Sequence, residues 1–424
     1  MGPASRPDTR ALRRRLVEVL RADGHLHSER VSAALEAVPR ELFVPGVDLE
    51  EVYRSADAIV TKRVDGVGVS SASAPNVMAI MLEQLDAQPG HRVLEIGAGT
   101  GYNAALLAHI VGPTGSVTTL DIDEDIVAAA KDHLRAAGFP TVRALVRDGA
   151  LGCPERSADS ALESECERTF DRIMLTVGSR DIAPAWREQL RPDGRLVLPL
   201  RIRGPQRSIA FRPEDHHLVS ISVQACAFIP LRGLLAGPTV LVESGPRGTL
   251  SVTPPDDTFS LPSERIAHWL RQPRERWLTG VSATLDDIRD ALHVWLVVHE
   301  PTVCMVYAEA GDSAVPDLFG TTERIRGSVG VVAPDGIALL GWATGHELYV
   351  EAAPDSAIQA ERLVGVVRDW HTAGRPGDGQ LQVRAYPRGQ AAMPESDEAV
   401  VDERWTRFLI SWRGARQPPA TLTV

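Results

Sequence analysis

The ten residues Val93 to Tyr102, VLEIGAGTGY, put a strand, a tight turn and a helix start in one unbroken run. Val93, Leu94 and Ile96 read as a strand buried on both faces. Gly97, Gly99 and Gly101 then make a turn whose backbone needs positive φ, which glycine adopts without a Cβ penalty. The Ala/Leu-rich stretch Asn103 to His109 reads as a helix. A strand feeding a helix through glycines points to a βαβ unit. It also aims backbone N–H groups at a place where nucleotide-type ligands bind. The same turn also occurs as a plain strand–helix connection, so the run alone leaves both readings open.

The glycine spacing is G-x-G-x-G, not the G-x-G-x-x-G of nicotinamide and flavin binders. That difference points to S-adenosylmethionine, which carries an adenosine but no pyrophosphate. The surrounding pattern supports an α/β domain. Strand candidates are Arg92–Ile96, Ser116–Asp121, Val142–Arg147, Asp171–Thr176 and Arg195–Leu200. Helices are expected between them at Asn103–Val111, Glu124–Ala137 and Ala183–Leu190. Such alternation predicts a mainly parallel sheet covered on both faces, with ligands outside the carboxyl ends of its strands.

Upstream, residues 1–9 read as disordered. Ala11 to Asp23 reads as an amphipathic helix with Leu12, Leu16, Val19 and Leu20 on one face. A helix is expected over Ser28–Val38, a loop with buried apolar residues at Glu41–Pro45, and a helix over Asn76–Leu85 opened by Pro75. Downstream, Ile202 to Ile229 reads as continuing strands. The Gly-, Pro- and Thr-rich stretch Gly245–Pro255 is the candidate boundary. A chain of 424 residues is long for one domain. We expect a catalytic domain over 1–245 and an α+β domain over 246–424. The second holds seven of the eight tryptophans, which are expected mostly in its core, with one or two open to a peptide-groove role. Helices are expected there near Ser263–Arg271, Leu285–His293 and Ser356–His371. A strand pair, Gly327–Ala333 with Ile337–Trp342, is expected to turn at Pro334-Asp335-Gly336.

A net charge of −11 argues against a nucleic-acid surface. The four cysteines lack C-x-x-C spacing and read as reduced thiols. No apolar run approaches membrane-spanning length, so no membrane partner and a cytoplasmic location are expected. His216-His217 and His299-Glu300 lack metal-ligand spacing, and no metal is expected.

Several polar residues fall where a cofactor would need them. Asp121 ends the second strand, where a carboxylate accepts from ribose hydroxyls or simply starts the next helix. Asp148-Gly149 ends the third, where an aspartate accepts from an adenine amino group or makes a turn. Glu95 precedes the glycines and reads either as an anchor for the cofactor's amino group or as a residue behind it. The segment Gly68 to Asn76, GVSSASAPN, offers the Ser70, Ser71 and Ser73 hydroxyls beside a helix N-terminus. Such a segment suits a carboxylate. Ser73 also fits as the cap of that helix.

Five motifs in order then resemble protein-L-isoaspartate O-methyltransferases. They are Val38–Pro45 (VPRELFVP), Ser73-Ala74-Pro75, Val93–Ala108, Arg191–Pro199 (RPDGRLVLP) and Phe228–Gly233 (FIPLRG). The resemblance covers roughly residues 10–240. It implies a Rossmann-like, S-adenosylmethionine-dependent class I methyltransferase domain. It implies cofactor contacts at Gly97, Gly99, Asp121 and Asp148, with Glu95, Ala98, Gly101, Tyr102, Ile122 and Gly149 counted beside them. It places Ser73 by the substrate carboxylate, with Ser70 and Ser71 as its companions. The chain departs from the family in a polar insert around Arg156–Arg168, expected to be exposed, and in its run on to Val424. Extended versions resemble the methyltransferases found with ribosomally made, modified peptides such as lanthipeptides and graspetides. The expected partner is therefore a cyclised precursor peptide, methylated on aspartate and passing through succinimide to isoaspartate. Repair of isoaspartate in proteins and an inactive peptide-binding protein are the alternatives. Methylating a carboxylate needs no strong base, because the group is ionised at neutral pH.

Overall fold

A computed structural model of the chain describes residues 8–154, 169–237, 240–243, 249–254, 263–309, 315, 316, 318, 325–343, 345–390 and 393–414. The insert at 156–168, residues 245–248 and 255 of the candidate boundary, and residues 1–7 of the N-terminal stretch lie outside these. The chain forms two units. One comprises Met1–Leu200, Arg207–Ser222 and Cys226–Ala236; the other comprises Arg201–Gln206, Val223–Ala225 and Gly237–Val424.

The first unit opens with α1 (Thr9–Ala22), capped by Asp8, and α2 (Glu29–Ala37), capped by Ser28. The buried face of α1 carries Arg13, Leu16, Val17 and Leu20. Val19, expected inside, is 37% exposed, because the burying surface lies one residue round the helix. At Glu41–Pro45, Phe43 and Val44 are buried as expected, but Leu42 is exposed on a short 3-10 turn. After α3 (Leu49–Val52), β1 (Ile59–Val64) and β2 (Val67–Ala72) form an antiparallel hairpin. Then come α4 (Pro75–Leu85), β3 (Arg92–Ile96), α5 (Tyr102–Val111), β4 (Ser116–Asp121), α6 (Glu124–Ala136) and β5 (Arg143–Val146). The unit continues with β6 (Phe170–Leu175), α7 (Pro184–Gln189), β7 (Leu190–Arg201), β8 (Gln206–Glu214) and β9 (His217–Cys226).

The strands run in the order β9-β8-β7-β6-β3-β4-β5. β3 pairs in parallel with both β4 and β6, β4 with β5, and β6 with β7. This is the α/β class expected from the alternation. Val93, Leu94 and Ile96 are sealed from solvent on both faces, as are Leu106 and Leu107 of α5. The order reverses at β3: the chain leaves it toward β4 and returns to its other side as β6. In a parallel sheet such a reversal opens a crevice at the strands' carboxyl ends.

The second unit is α+β, also as expected. Its antiparallel sheet has the spatial order Val240–Glu243, Thr249–Thr253, Val303–Glu309, Ile325–Ala333, Gly336–Trp342, Glu347–Ala352, Glu275–Ser282. Ala333 pairs with Gly336, so the turn expected at Pro334-Asp335-Gly336 is confined to Pro334-Asp335 and Gly336 begins the second strand. Strands Leu381–Pro387, Ala399–Asp402 and Thr406–Trp412 pair antiparallel. The helix expected at Leu285–His293 runs on to His299 through a π-type turn at Ile288–Leu292. Trp269, Trp295, Trp370 and Trp412 are buried; Trp277, Trp342 and Trp405 are half-buried. His299 stacks on Trp295 at 3.7 Å, and Glu300 is held by Arg362, with Nη2 at 2.6 Å from its carboxylate. Both are packing arrangements. Among the described residues, no helix is long and apolar enough to cross a membrane.

Candidate functional site

A cleft of about 780 Å³, open to solvent, lies where β3 and β6 end. Of the residues singled out from the sequence, Ser70, Ser71, Ser73, Gly97, Ala98, Gly99, Tyr102, Asp121, Ile122 and Gly149 line it. Glu95, Gly101 and Asp148 do not.

The glycine turn forms the floor. Gly97, Gly99 and Gly101 have φ of 101°, 49° and 88°. The N–H groups of Gly97 and Ala98 donate to the Leu120 carbonyl at 2.8 and 2.9 Å, which locks the turn to the next strand. A Cβ at Gly97 would come within 2.7 Å of Thr176 Oγ1 and 2.9 Å of Val177 Cγ1. Gly101 has a different reason. A Cβ there would meet Leu134 and the Ala130 carbonyl of α6 at 3.2 and 3.3 Å, so this glycine lets two helices approach. Asp121 stands at the end of β4 with its carboxylate in the cleft wall. Gly99 N–H donates to Oδ2 at 3.1 Å and Asp123 N–H to Oδ1 at 3.3 Å. Burial pushes its carboxyl above the usual range, against those two hydrogen bonds.

Two of the expected cofactor contacts, Glu95 and Asp148, lie outside the cleft lining. Glu95 is fully buried beneath the turn, where Asn103 Nδ2 donates at 2.7 Å and Thr119 Oγ1 donates to its other oxygen. Burial pushes its carboxyl up to about 7. It ties β3 to α5 and β4 rather than facing the cleft. Asp148 spends both oxygens on backbone N–H groups, Ala150 at 2.9 Å and Leu234 at 2.8 Å. It holds the loop after β9.

The serine segment also differs from expectation. Ser70 and Ser71 sit on β2. The cap position of α4 is Ala74, and no side chain caps the helix, so Ser73 is not its cap. The helix N-terminus offers no free anion site. Pro75 has no N–H, Asn76 N–H donates to the Ser55 carbonyl at 2.9 Å, and Val77 N–H to Asn76 Oδ1 at 2.7 Å. Ser70 Oγ accepts from Thr61 at 3.1 Å. The Ser71 and Ser73 hydroxyls have no partner among the described residues and remain able to bind a carboxylate.

Sequence reasoning gave no site role to Arg40, Lys62, Asp123, Thr176 or Arg232. Arg40 is sealed from solvent and donates to the carbonyls of Ser73 at 2.9 Å and Val52 at 3.0 Å, fixing the serine segment from behind. Thr176 and Val177 follow β6 directly, so the rule that ligands sit beyond strand ends was signal enough for them. Segment Ile229–Arg232 makes the last wall. It is anchored by Gly178 N–H to the Ile229 carbonyl at 2.9 Å and Leu231 N–H to the Gly178 carbonyl at 2.7 Å. Among the described residues, no histidine lines the cleft.

These features fit S-adenosylmethionine. Gly97 and Gly99 present their backbone at the cleft floor, Asp121 offers a ribose acceptor, and Leu120, Ile122 and Val177 give an apolar flank. Such an arrangement can position a carboxylate by hydroxyls.

Comparison with known proteins agrees. The family model for protein-L-isoaspartate(D-aspartate) O-methyltransferase matches residues 11–236, more than half of the chain. The Methanopyrus kandleri protein-L-isoaspartate O-methyltransferase is 37% identical over 226 residues, which is 53% of this chain and 92% of the relative. That of Hyperthermus butylicus is 35% identical over 244 residues, 55% of this chain and 94% of the relative. Among solved structures, one described as a protein-L-isoaspartate O-methyltransferase covers 88% of this chain and 96% of its own, with TM-score 0.48 and 22% identity. Another, from Plasmodium falciparum in complex with S-adenosyl-L-homocysteine, covers 52% and 98%, with TM-score 0.44 and 16% identity.

Proposed function

Because this chain belongs to the protein-L-isoaspartate(D-aspartate) O-methyltransferase family, whose members form carboxyl methyl esters with S-adenosylmethionine, we propose that it methylates the free carboxylate of an isoaspartyl residue in a polypeptide. One observation carries this reading. Asp121, suited to ribose, and the uncommitted Ser71 and Ser73 hydroxyls, suited to a carboxylate, line one cleft, with no histidine among its described lining residues.

S-adenosylmethionine, when bound, supplies an electrophilic methyl group on a sulfonium. Gly97, Ala98, Gly99, Asp121, Ile122, Tyr102 and Gly149 would hold it. Ser71 and Ser73 would orient the carboxylate, with Arg40 holding Ser73 in place. That methyl group would pass to the carboxylate oxygen, and the electron pair of its former bond would stay on sulfur. No proton moves, so alignment and exclusion of water are what the protein contributes. Tight hydrogen bonds to the attacking oxygen alone would slow it, which favours two adaptable hydroxyls over a fixed cation. In the ester a neighbouring amide nitrogen can displace methanol to close a succinimide, which water then opens.

A second reading keeps the same chemistry on an aspartate of a cyclised ribosomal peptide such as a lanthipeptide. The observation that favours it is the second unit, which continues past residue 236 where the family model ends. In either case we assign catalysis to residues 1–245 and substrate recognition to 246–424. An inactive peptide-binding protein fits less well, given the intact glycine turn and Asp121. The test is release of S-adenosylhomocysteine with an isoaspartyl peptide, a cyclised precursor and its linear form. Turnover on the isoaspartyl peptide supports the proposal. Turnover only on the cyclised precursor replaces it with the second reading, and binding without turnover on any of the three sinks both.

A further inference from the structure

Asp123 precedes α6, where an aspartate ordinarily accepts from the first-turn N–H groups. Its side chain makes no such cap. Both oxygens turn instead to cations from distant parts of the chain. Lys62 Nζ, on β1, donates to Oδ2 at 2.8 Å. Arg232 grips the same carboxylate as a fork, Nη1 to Oδ1 at 3.1 Å and Nη2 to Oδ2 at 2.9 Å. The Arg232 fork, ahead of Lys62, holds the Asp123 carboxyl below its usual range.

The two cations belong to two walls of the cleft. Lys62 lies on the hairpin whose second strand supplies Ser70 and Ser71. That hairpin is a two-stranded sheet of its own. It rests on the glycine turn closely enough that a Cβ at Gly99 would touch the Ser71 carbonyl at 3.3 Å. Arg232 ends the Ile229–Arg232 wall and itself faces the cleft. Asp123 is fixed to the floor, since its N–H is held by Asp121. One carboxylate therefore joins the floor to both walls.

We propose that Asp123 is a positioning residue that clasps the Ile59–Ala72 hairpin and the Ile229–Arg232 wall over the bound cofactor, and that ligand exchange requires this clasp to part. The inference rests on the reading of the cleft as the S-adenosylmethionine site. The side chains of Lys62, Asp123 and Arg232 are 29%, 19% and 36% exposed, so their pairs are open to salt and to thermal breakage. Opening of such walls is a step that commonly limits release from enzyme clefts.

The test is the dissociation rate of S-adenosylhomocysteine from the full-length protein, followed by competition in stopped flow. Asp123→Asn is expected to speed release about tenfold, and Lys62→Met by a few-fold. The double variant should be no faster than Asp123→Asn alone, because both changes open one clasp. Raising salt from about 0.05 M to about 1 M should speed release from the wild type and leave Asp123→Asn unmoved. A merely structural role would not shift that salt dependence. Asp125→Asn is the control: Asp125 reaches Lys62 at 2.8 Å but is 68% exposed and touches neither wall otherwise, so its rate should stay within about twofold. Release from Asp123→Asn at the wild-type rate, or additive effects of the two changes, overturns the clasp. Should Asp123→Asn fail to fold, Lys62→Met decides alone: an unchanged rate with unchanged salt dependence overturns it. A wild type that does not bind S-adenosylhomocysteine overturns the cofactor reading itself, and the clasp falls with it.

Discussion

The backbone N–H of Gly99 donates to Asp121 Oδ2 at 3.1 Å, so the turn that ends β3 is held by the carboxylate that ends β4. The residue suited to the ribose thus also shapes the surface on which the ribose would lie.

Asp121→Asn replaces one acceptor with a donor at nearly constant volume. We expect it to weaken S-adenosylhomocysteine binding about tenfold to a hundredfold, matching about 1.5–3 kcal/mol for a hydrogen bond to a charged group. Asp121→Ala should also lower the unfolding free energy by about 1–3 kcal/mol, because Gly99 and Asp123 lose their acceptor. Calorimetric titration and chemical denaturation give both numbers. Unchanged affinity in both variants rules out the ribose role.

Glu95 carries a pH dependence. Its carboxyl is pushed by burial from 4.5 up to about 7. Across that window the folded protein keeps a proton that the unfolded chain has released, so stability falls as pH rises from about 4.5 to about 7. Relative to Glu95→Gln, the wild type should lose at most about 3 kcal/mol over that range, at about 1.4 kcal/mol per pH unit. Urea denaturation of both proteins in steps of pH checks it. A constant difference between the two curves contradicts the displaced titration.

Two glycines should respond with opposite sign. Gly97→Ala forces a Cβ to within 2.7 Å of Thr176 at φ 101°. It should cost about 1–3 kcal/mol and abolish tight cofactor binding. Gly365, inside helix Ala357–Thr372, has no positive φ, and a methyl added there would meet nothing within 4 Å. Gly365→Ala should stabilise by about 0.5–1 kcal/mol with cofactor affinity unchanged. Thermal and chemical denaturation of the pair separate strain at the floor from ordinary helix propensity.

Asp148→Ala strips an acceptor from Leu234 and Ala150 without removing a group that faces the cleft. Stability should fall by about 1–3 kcal/mol. Affinity for S-adenosylhomocysteine should fall less than in Asp121→Asn. A larger loss of affinity than in Asp121→Asn would restore a direct adenine contact.

Much of the fold is legible in the chain. The strand–helix alternation from Arg92 to Leu200, the Pro334-Asp335 hairpin turn and the positive φ at three glycines each depend on residues adjacent in sequence or on a regular period. The site was legible only in part. Asp121 and Asp148 look alike as strand-end aspartates, yet one faces the cleft and the other faces the Leu234 backbone, 86 residues away. Ser73 reads as a helix cap, but Ala74 takes the cap position and leaves the serine hydroxyl free of it. The stripe read from the sequence includes Val19, but packing buries Val17 and leaves Val19 exposed.

The glycine floor, the parallel sheet and the family follow from the chain alone, because backbone sterics, hydrophobic period and ordered motifs act locally along it. Which polar groups are spent on the protein, and which remain for a ligand, is settled by packing in three dimensions. Asp123 meets Lys62 across 61 positions and Arg232 across 109. No local rule distinguishes such a carboxylate from an ordinary helix cap, since its partners are chosen by how distant segments pack.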